Sequence, residues 1–246
     1  MTSAAASALA GLVRRLESIG PLSAVERRAV ADLPVAIRTL PPRCPIVREG
    51  DRPSQCCVVL QGWLCRSNVL GSGKRQIHSL HIAGDMPDLQ SLHLPVMDHN
   101  LDTLTPVLMA AIPHEALRDV IAAHPGVAAV LWRSTLIDAA MVRQWMVCLG
   151  RRAALEHVGH LLCEMYLRQQ AVGLASGFQC PLPVTQSDLG DALGLSTVHV
   201  NRVLQTLRAM SLITLQNGTL RIHDWERLVA LSEFDPTYLH VEAASA

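Results

Sequence analysis

Five side chains toward the carboxyl end have types that read nucleic-acid bases and a spacing that gathers them on one surface. Thr197, Val198, Asn201, Arg202 and Gln205 recur at intervals that place them on one side of a helix. An arginine offers a planar fork that fits guanine O6 and N7, an amide side chain pairs with adenine, and threonine or valine methyls lie against a thymine methyl. Such a set suits the major groove of double-stranded DNA. His199 and Arg208 in the same segment complete the residues expected to contact DNA.

A helix must hold that surface outward, and the flanking residues supply one. Val200, Val203, Leu204 and Leu207 follow i, i+3, i+4, i+7 spacing, giving the opposite side an apolar stripe. Ser196 is placed to cap the helix, so it should begin at about Thr197. Upstream, Leu189, Leu193 and Leu195 provide contacts for a shorter crossed helix, Gly190 lets the two approach, and Gly194 permits the tight turn. Downstream, Leu212-Ile213-Thr214-Leu215 and Thr219-Leu220-Arg221-Ile222 flank Gln216-Asn217-Gly218, a hairpin signal. The whole segment, residues 185–223, reads as a winged helix-turn-helix. An ordinary helical hairpin with a solvated polar side would need neither the paired glycines, the cap nor the wing.

Charge gives little further help, because Lys plus Arg and Asp plus Glu are both 21. With only Arg202, Arg208 and Arg221 against Asp188 and Asp191 in residues 182–223, one such unit should bind DNA weakly without sequence selection, and paired half-sites should supply affinity. All basic residues but Lys74 are arginine, which favours bidentate contacts. A hydrophobic content of 50% in 246 residues supports two domains. No run of 18 apolar residues exists, and the start MTSAAASALAGLVRRL has its arginines after the apolar stretch, so a cytoplasmic location is expected. Seven cysteines without a CxxC pair do not form a secreted disulfide framework.

Before about Leu80, β-prone runs alternate with turns: Ile37-Thr39, Ile46-Arg48, Cys56-Leu60, Trp63-Asn68 and Gln76-Ile82. These predict an antiparallel sandwich or jelly roll. From Pro113 the pattern turns helical. Residues 126–150 predict a long helix on which Val127, Val130, Ser134, Ile137, Met141, Gln144 and Cys148 form a 3/4-spaced seam for pairing with a second copy, though Ser134 and Gln144 weaken it. Another helix is expected over about 153–170, then a loop over 173–183.

β-roll, long helix and winged helix-turn-helix, in that order, resemble the CRP/FNR family of bacterial transcription regulators. The matching residues are VREGD (47–51), VVLQGWL (58–64), GSGKRQ (71–76), AGD (83–85), IPHEAL (112–117) and VTQSDLGDALGLS (184–196), and the resemblance spans roughly residues 20–235. It implies a homodimer on a palindromic operator, with a β-roll that senses a signal and a long helix that passes it on. RNA polymerase is the further expected partner. On the recognition helix the family commonly offers a glutamate where this chain has Val198, followed by Ser-Arg or Gly-Arg where it has Asn201-Arg202. The arginine role carries over and the glutamate role does not.

Other departures concern the sensor. Members that bind cyclic nucleotide hold the ribose with a glutamate after the Gly-Asp turn and the phosphate with an Arg-Ser or Arg-Thr pair. Here Asp88 stands near the first place, and Met97 and Asp98 fall where the pair is needed, so a phosphate should be repelled. The amino-terminal cysteine cluster of the oxygen-sensing branch is missing, since the first cysteine is Cys44. Cys56, Cys57 and Cys65 are expected to be buried thiols, with 56 and 57 on opposite sides of a strand. His157, His160 and Cys163, every third residue on one helix, are weighed as a metal or haem site against an ordinary packed face, as are His78, His81, His93 and His99. The GSGKR run lacks a phosphate loop's first glycine and its Ser/Thr, and reads as a hairpin turn. No catalytic constellation is seen.

The expectation is an α+β chain comprising a cyclic-nucleotide-binding-like domain (1–125), a dimerisation helix (126–150) and a winged helix-turn-helix domain (151–246). It should act as a DNA-binding regulator without cofactor, metal or membrane attachment. The alternatives are a haem-, metal- or metabolite-responsive regulator of the same kind, and a protein-interaction module that does not bind DNA.

Overall fold

The computed structural model describes residues 8–241; the first residues of the small-residue start and the last five lie outside them. Two compact units result, one from residues up to 68 together with 79–138, the other from 69–78 and 139–241. The division falls inside the long helix, between Asp138 and Ala139, and not at its ends.

The amino-terminal unit begins with helices α1 (Ala10–Glu17) and α2 (Ala24–Ala31), which the sequence reading did not assign. Ser23 and Glu26 form a reciprocal cap on α2, with side chain to amide in both directions. Seven strands follow: β1 (Ala36–Leu40), β2 (Pro45–Val47), β3 (Gln55–Gln61), β4 (Leu64–Val69), β5 (Arg75–His81), β6 (Asn100–Thr103) and β7 (Val107–Pro113). One sheet has the order β1-β7-β3 and the other β2-β6-β4-β5. All five expected strands form within a residue or two of their predicted limits. β6 and β7 were missed, yet β7 is the middle strand of its sheet. It packs on both faces, so its run VLMAAIP shows no alternation to read.

β3 separates two cores by alternation. Cys57 and Val59 turn into the space between the sheets with Leu64, Met97, Leu101 and Met109. Cys56 and Val58 turn outward beneath the helices, joining Leu12, Leu16, Leu117 and Val127. Gly62, at φ 92°, makes the β3–β4 turn against the Pro106 carbonyl, where a side chain has no room.

Helix α3 (His114–Ala123) leads to α4 (Pro125–Arg151), the long helix, one residue longer than expected at each end. Its expected pairing seam is largely used within one chain. Val127, Val130, Ile137, Met141 and Cys148 are at most 7% exposed, and only Ser134 and Gln144 are half-buried. The outward side instead carries Trp132, Leu136 and Met146, exposed by 66%, 51% and 67%. The inward choice has a simple cause: the expected seam is rich in aliphatic residues, and α4 must cover the sheet-facing core before anything else.

In the carboxy-terminal unit, α5 (Ala154–Ala171) is buried along most of its length. A short strand β8 (Gln179–Pro181), expected only as loop, joins β9 (Ile213–Gln216) and β10 (Thr219–Ile222) in the order β8-β10-β9. Helices α6 (Gln186–Leu193) and α7 (Thr197–Ala209) lie between β8 and β9, and α8 (Trp225–Ser232) and a 3-10 turn (Pro236–Leu239) close the unit. Among the described residues no single helix is long and apolar enough to cross a membrane.

Candidate nucleic-acid interface

The turn between α6 and α7 is fixed by backbone demands. Gly194 takes the left-handed conformation at φ 65° that ends α6. A β-carbon at Gly190 would stand 2.7 Å from the Leu195 carbonyl oxygen, so only glycine lets α6 approach the turn. Thr185 caps α6, its hydroxyl accepting from the Asp188 amide while the Asp188 carboxylate accepts from the Thr185 amide. Ser196 caps α7, accepting from the His199 amide at 3.2 Å.

On α7, Val200, Val203, Leu204 and Leu207 are between 0% and 6% exposed. The opposite side presents Thr197, Val198, Asn201, Arg202 and Gln205, all exposed, with Val198 at 70%. The structure therefore brings together the five residues that spacing grouped. Asn201 donates its amide to the Gln186 side chain at 3.2 Å, which leaves its carbonyl oxygen available. His199 is half-buried at the edge of this face. Arg208 departs from expectation. It lies two turns along, half-buried, and donates to the Leu215 carbonyl at 2.7 Å, so it anchors the wing to the helix instead of presenting a free guanidinium. The wing turns through Asn217 and Gly218, both at positive φ, as a two-residue hairpin requires. Arg221 is exposed on β10 and donates to Gln179 at 3.0 Å.

Beneath this surface lies a polar cluster that the sequence reading missed. The Glu164 carboxylate on α5 is fully buried; it accepts from Trp145 Nε1 at 3.0 Å, from the Tyr238 hydroxyl at 2.7 Å and from Arg168 at 3.4 Å. Burial beside that carboxylate drives the Tyr238 hydroxyl well above its ordinary pKa. A lone glutamate inside the apolar run LLCEMYL was the available signal.

The weighed metal groups do not assemble. His160 stacks on Tyr238 at 5.8 Å and meets Phe234 edge-on at 5.0 Å, and Cys163 faces Ser232. Among the described residues no three His, Cys, Asp or Glu side chains converge to hold a metal. Burial, with the Arg152 guanidinium nearby, pushes His157 and His160 down to about 4. Burial raises Cys56 and Cys163 to about 12, which keeps these thiols protonated and unreactive.

In the amino-terminal unit the two residues weighed for phosphate part company. Met97 is 2% exposed within the inter-sheet core, while the Asp98 side chain is 80% exposed and pairs with His99 at 2.6 Å. The Asp88 carboxylate is buried, accepts from the Cys57 amide at 2.8 Å, and is pushed up to about 6 by burial. Arg66 occupies the interior between these groups. Its Nε donates to the Pro87 carbonyl and its Nη1 to Asp138 of α4.

Comparison with known proteins follows the same division. A family model described as a Crp-like helix-turn-helix domain matches residues 156–231, and one described as a cyclic nucleotide-binding domain matches residues 37–124. The chain is 27% identical over 205 residues to the nitrogen fixation regulation protein FixK of Rhizobium meliloti, covering 82% of this chain and 86% of FixK. It is 25% identical over 187 residues to the transcriptional activator protein FnrA of Stutzerimonas stutzeri, covering 76% of each. The structure of FixK2 from Bradyrhizobium japonicum superposes with a TM-score of 0.72 at 24% identity, over 87% of this chain and 100% of that one.

The buried histidines set an acid limit on the carboxy-terminal unit. Unfolded, His157 and His160 bind protons near their ordinary 6.5; folded, they do so only near 4. Between those values the unfolded state holds more protons, so stability falls as pH drops from 6.5 toward 4. Asp88, raised to about 6 from 3.8, acts oppositely on the amino-terminal unit, favouring its folded state in acid. Chemical denaturation between pH 4 and 7, followed by hydrogen exchange in α5 and α7, should show this loss. His157→Gln should flatten it; an unchanged slope would mean that His157 titrates in the folded unit.

Proposed function

The chain belongs to the CRP/FNR family of transcription regulators, and from that premise we propose that it binds DNA through its helix-turn-helix as a homodimer on a palindromic operator, without a cyclic-nucleotide effector. The single observation that carries the reading is the division of α7: four apolar side chains are held inward, while Thr197, Val198, Asn201, Arg202 and Gln205 stand together in solvent. In this assignment Arg202 reads a base, and Thr197 and Asn201 tune the half-site. Val198 offers a methyl contact where a carboxylate would have accepted from cytosine N4, which alters the preferred base at that step. His199 and Gln205 flank these contacts, and Arg208 acts through the wing. Functionally, residues 1–125 serve as the sensing domain, 126–150 as the dimerising helix and 151–246 as the DNA-binding domain, in a cytoplasmic regulator whose further partner is RNA polymerase.

The outward side of α4 supports pairing in a place different from the expected seam. Ala129, Trp132, Leu136, Ala139, Arg143 and Met146 alternate at 3 and 4 residues and are all exposed. A second copy of the chain would cover this stripe. It would also bring two DNA-binding units to one operator, as their weak individual charge demands.

Three observations support independence from cyclic nucleotide. Met97 is packed into the core, Asp98 is a carboxylate where the phosphate would have to sit, and Arg66 is already committed to Pro87 and Asp138. A ligand with no differential affinity for two states shifts neither.

Each part has its test. Arg202→Ala should cost about 1–3 kcal/mol in operator binding and relax selection at one base pair, read by competition with single-base variants. Equal losses on specific and random DNA would instead make Arg202 a phosphate contact. Leu136→Glu with Met146→Glu should convert the dimer to monomer in sedimentation and weaken operator binding, with each unit still folded. An unchanged dimer would move the interface off this stripe. Calorimetric titration with cyclic AMP and cyclic GMP should give no saturable heat at micromolar concentration, and a tenfold gain in operator affinity with either would sink the effector-independent reading.

A further inference from the structure

The hairpin connecting β4 to β5 groups with the carboxy-terminal unit, and charge holds it there. Its turn closes through the Leu70 amide to the Lys74 carbonyl at 2.9 Å, with Gly73 at φ 79°. Just beyond, Arg75 reaches α6 with two separate arms of its guanidinium. Nε donates to Asp191 at 2.8 Å and Nη2 to Asp188 at 2.7 Å. Gln76 adds a bond from its amide to the Ala192 carbonyl at 3.2 Å. Three contacts therefore land on five consecutive residues of the first helix of the helix-turn-helix.

The fork suits its targets in a way that a lysine would not. Asp188 and Asp191 stand three residues apart on one side of α6, and a planar guanidinium bridges them with separate N–H groups. The Asp188 side chain is only 2% exposed, so its charge has little water to solvate it. One of its oxygens is already engaged in capping, accepting from the Thr185 amide and hydroxyl, and the other faces Arg75. Arg75 is thereby linked to the cap that starts α6. Removing one partner of a buried ion pair leaves an uncompensated charge and costs far more than an exposed pair contributes.

The electrostatic consequence reaches DNA. Asp188 and Asp191 are the acidic residues of the segment 182–223, and they sit on a helix that must approach a polyanion. Arg75 lies outside that segment in sequence but cancels much of their field. The contact also leaves the reading side of α7 open, since Thr197, Val198, Asn201, Arg202 and Gln205 remain exposed with the fork formed. The docked arrangement is thus compatible with operator binding.

We propose that Arg75 is a positioning residue for operator binding: the 69–78 hairpin is a third member of the helix-turn-helix, fixing α6 and neutralising Asp188 and Asp191 while α7 reads the groove. The inference rests on α7 being the DNA-facing helix, and Arg202→Ala tests that reading separately on the same duplex.

The test uses the full-length protein and a duplex selected from random sequence by the wild type, with affinity measured by fluorescence anisotropy over a range of salt concentrations. Arg75→Gln should weaken binding at least about tenfold at low salt. The deficit should shrink as salt screens the uncompensated carboxylates. Asp191→Asn should reduce the deficit in the double variant. Hydrogen exchange should show faster opening of residues 186–193 in Arg75→Gln with α5 unchanged. Unaltered or tighter binding by Arg75→Gln overturns the proposal, as does a deficit that is constant with salt, which would mark Arg75 as a fold-stabilising residue only. If Arg202→Ala also leaves binding unaltered, the assignment of α7 fails, and not that of Arg75 alone.

Discussion

A helix of thirteen residues that leaves one side in solvent has only its other side with which to stay folded. In water such a helix is marginal, because nucleation costs more than a few turns of hydrogen bonds return. α7 is therefore held by burial of Val200, Val203, Leu204 and Leu207, and it packs on both α5 and α6. Nearly every residue of α5 from His157 to Gln169 is buried, so it acts as the post on which α6, α7, α8 and β8 are mounted. The polar cluster around Glu164 sits on that post. A carboxylate fully removed from water persists because Trp145, Tyr238 and Arg168 all donate to it. Burial of that kind contributes little net stability, yet it penalises any packing in which one donor is missing.

The parts that were legible in sequence are those in which one local rule settles the answer. Ser196, Gly194 and the i, i+3, i+4, i+7 stripe placed the start of α7, and the Asn217-Gly218 turn placed the wing. The grouping of Thr197, Val198, Asn201, Arg202 and Gln205 on one exposed face followed from the same periodicity. What escaped were features that depend on a partner distant in the chain. β7 is buried on both sides, so its residues do not alternate, and β8 is a three-residue strand recognised only by its pairing with β10. Arg208 looks like any exposed helical arginine until the Leu215 carbonyl is folded back beside it.

The long helix shows the same limit in another form. Two stripes on α4 have coiled-coil spacing, and sequence ranks the more aliphatic one first. The structure uses that stripe internally, where Val127, Val130 and Ile137 complete the core over the β1-β7-β3 sheet. The second stripe contains Trp132, Leu136 and Met146 interrupted by alanines and Arg143, a composition that reads as an ordinary mixed surface until its exposure is seen. Periodicity identifies faces; it does not say which neighbour claims each one.

Charge economy ties the two halves of this regulator together. With acidic and basic residues equal in number, no overall field draws the protein to DNA, and every local excess must be arranged by position. In the amino-terminal unit the arrangement is inward: Arg66 is consumed by Pro87 and Asp138, and Arg15 by Asp85. In the carboxy-terminal unit it is outward, since Arg202 and Arg221 remain exposed while Asp188 and Asp191 are covered by Arg75. The same residue type is paired inward in one unit and left in solvent in the other, because a guanidinium held against a buried carboxylate is removed from the protein's external field along with its partner.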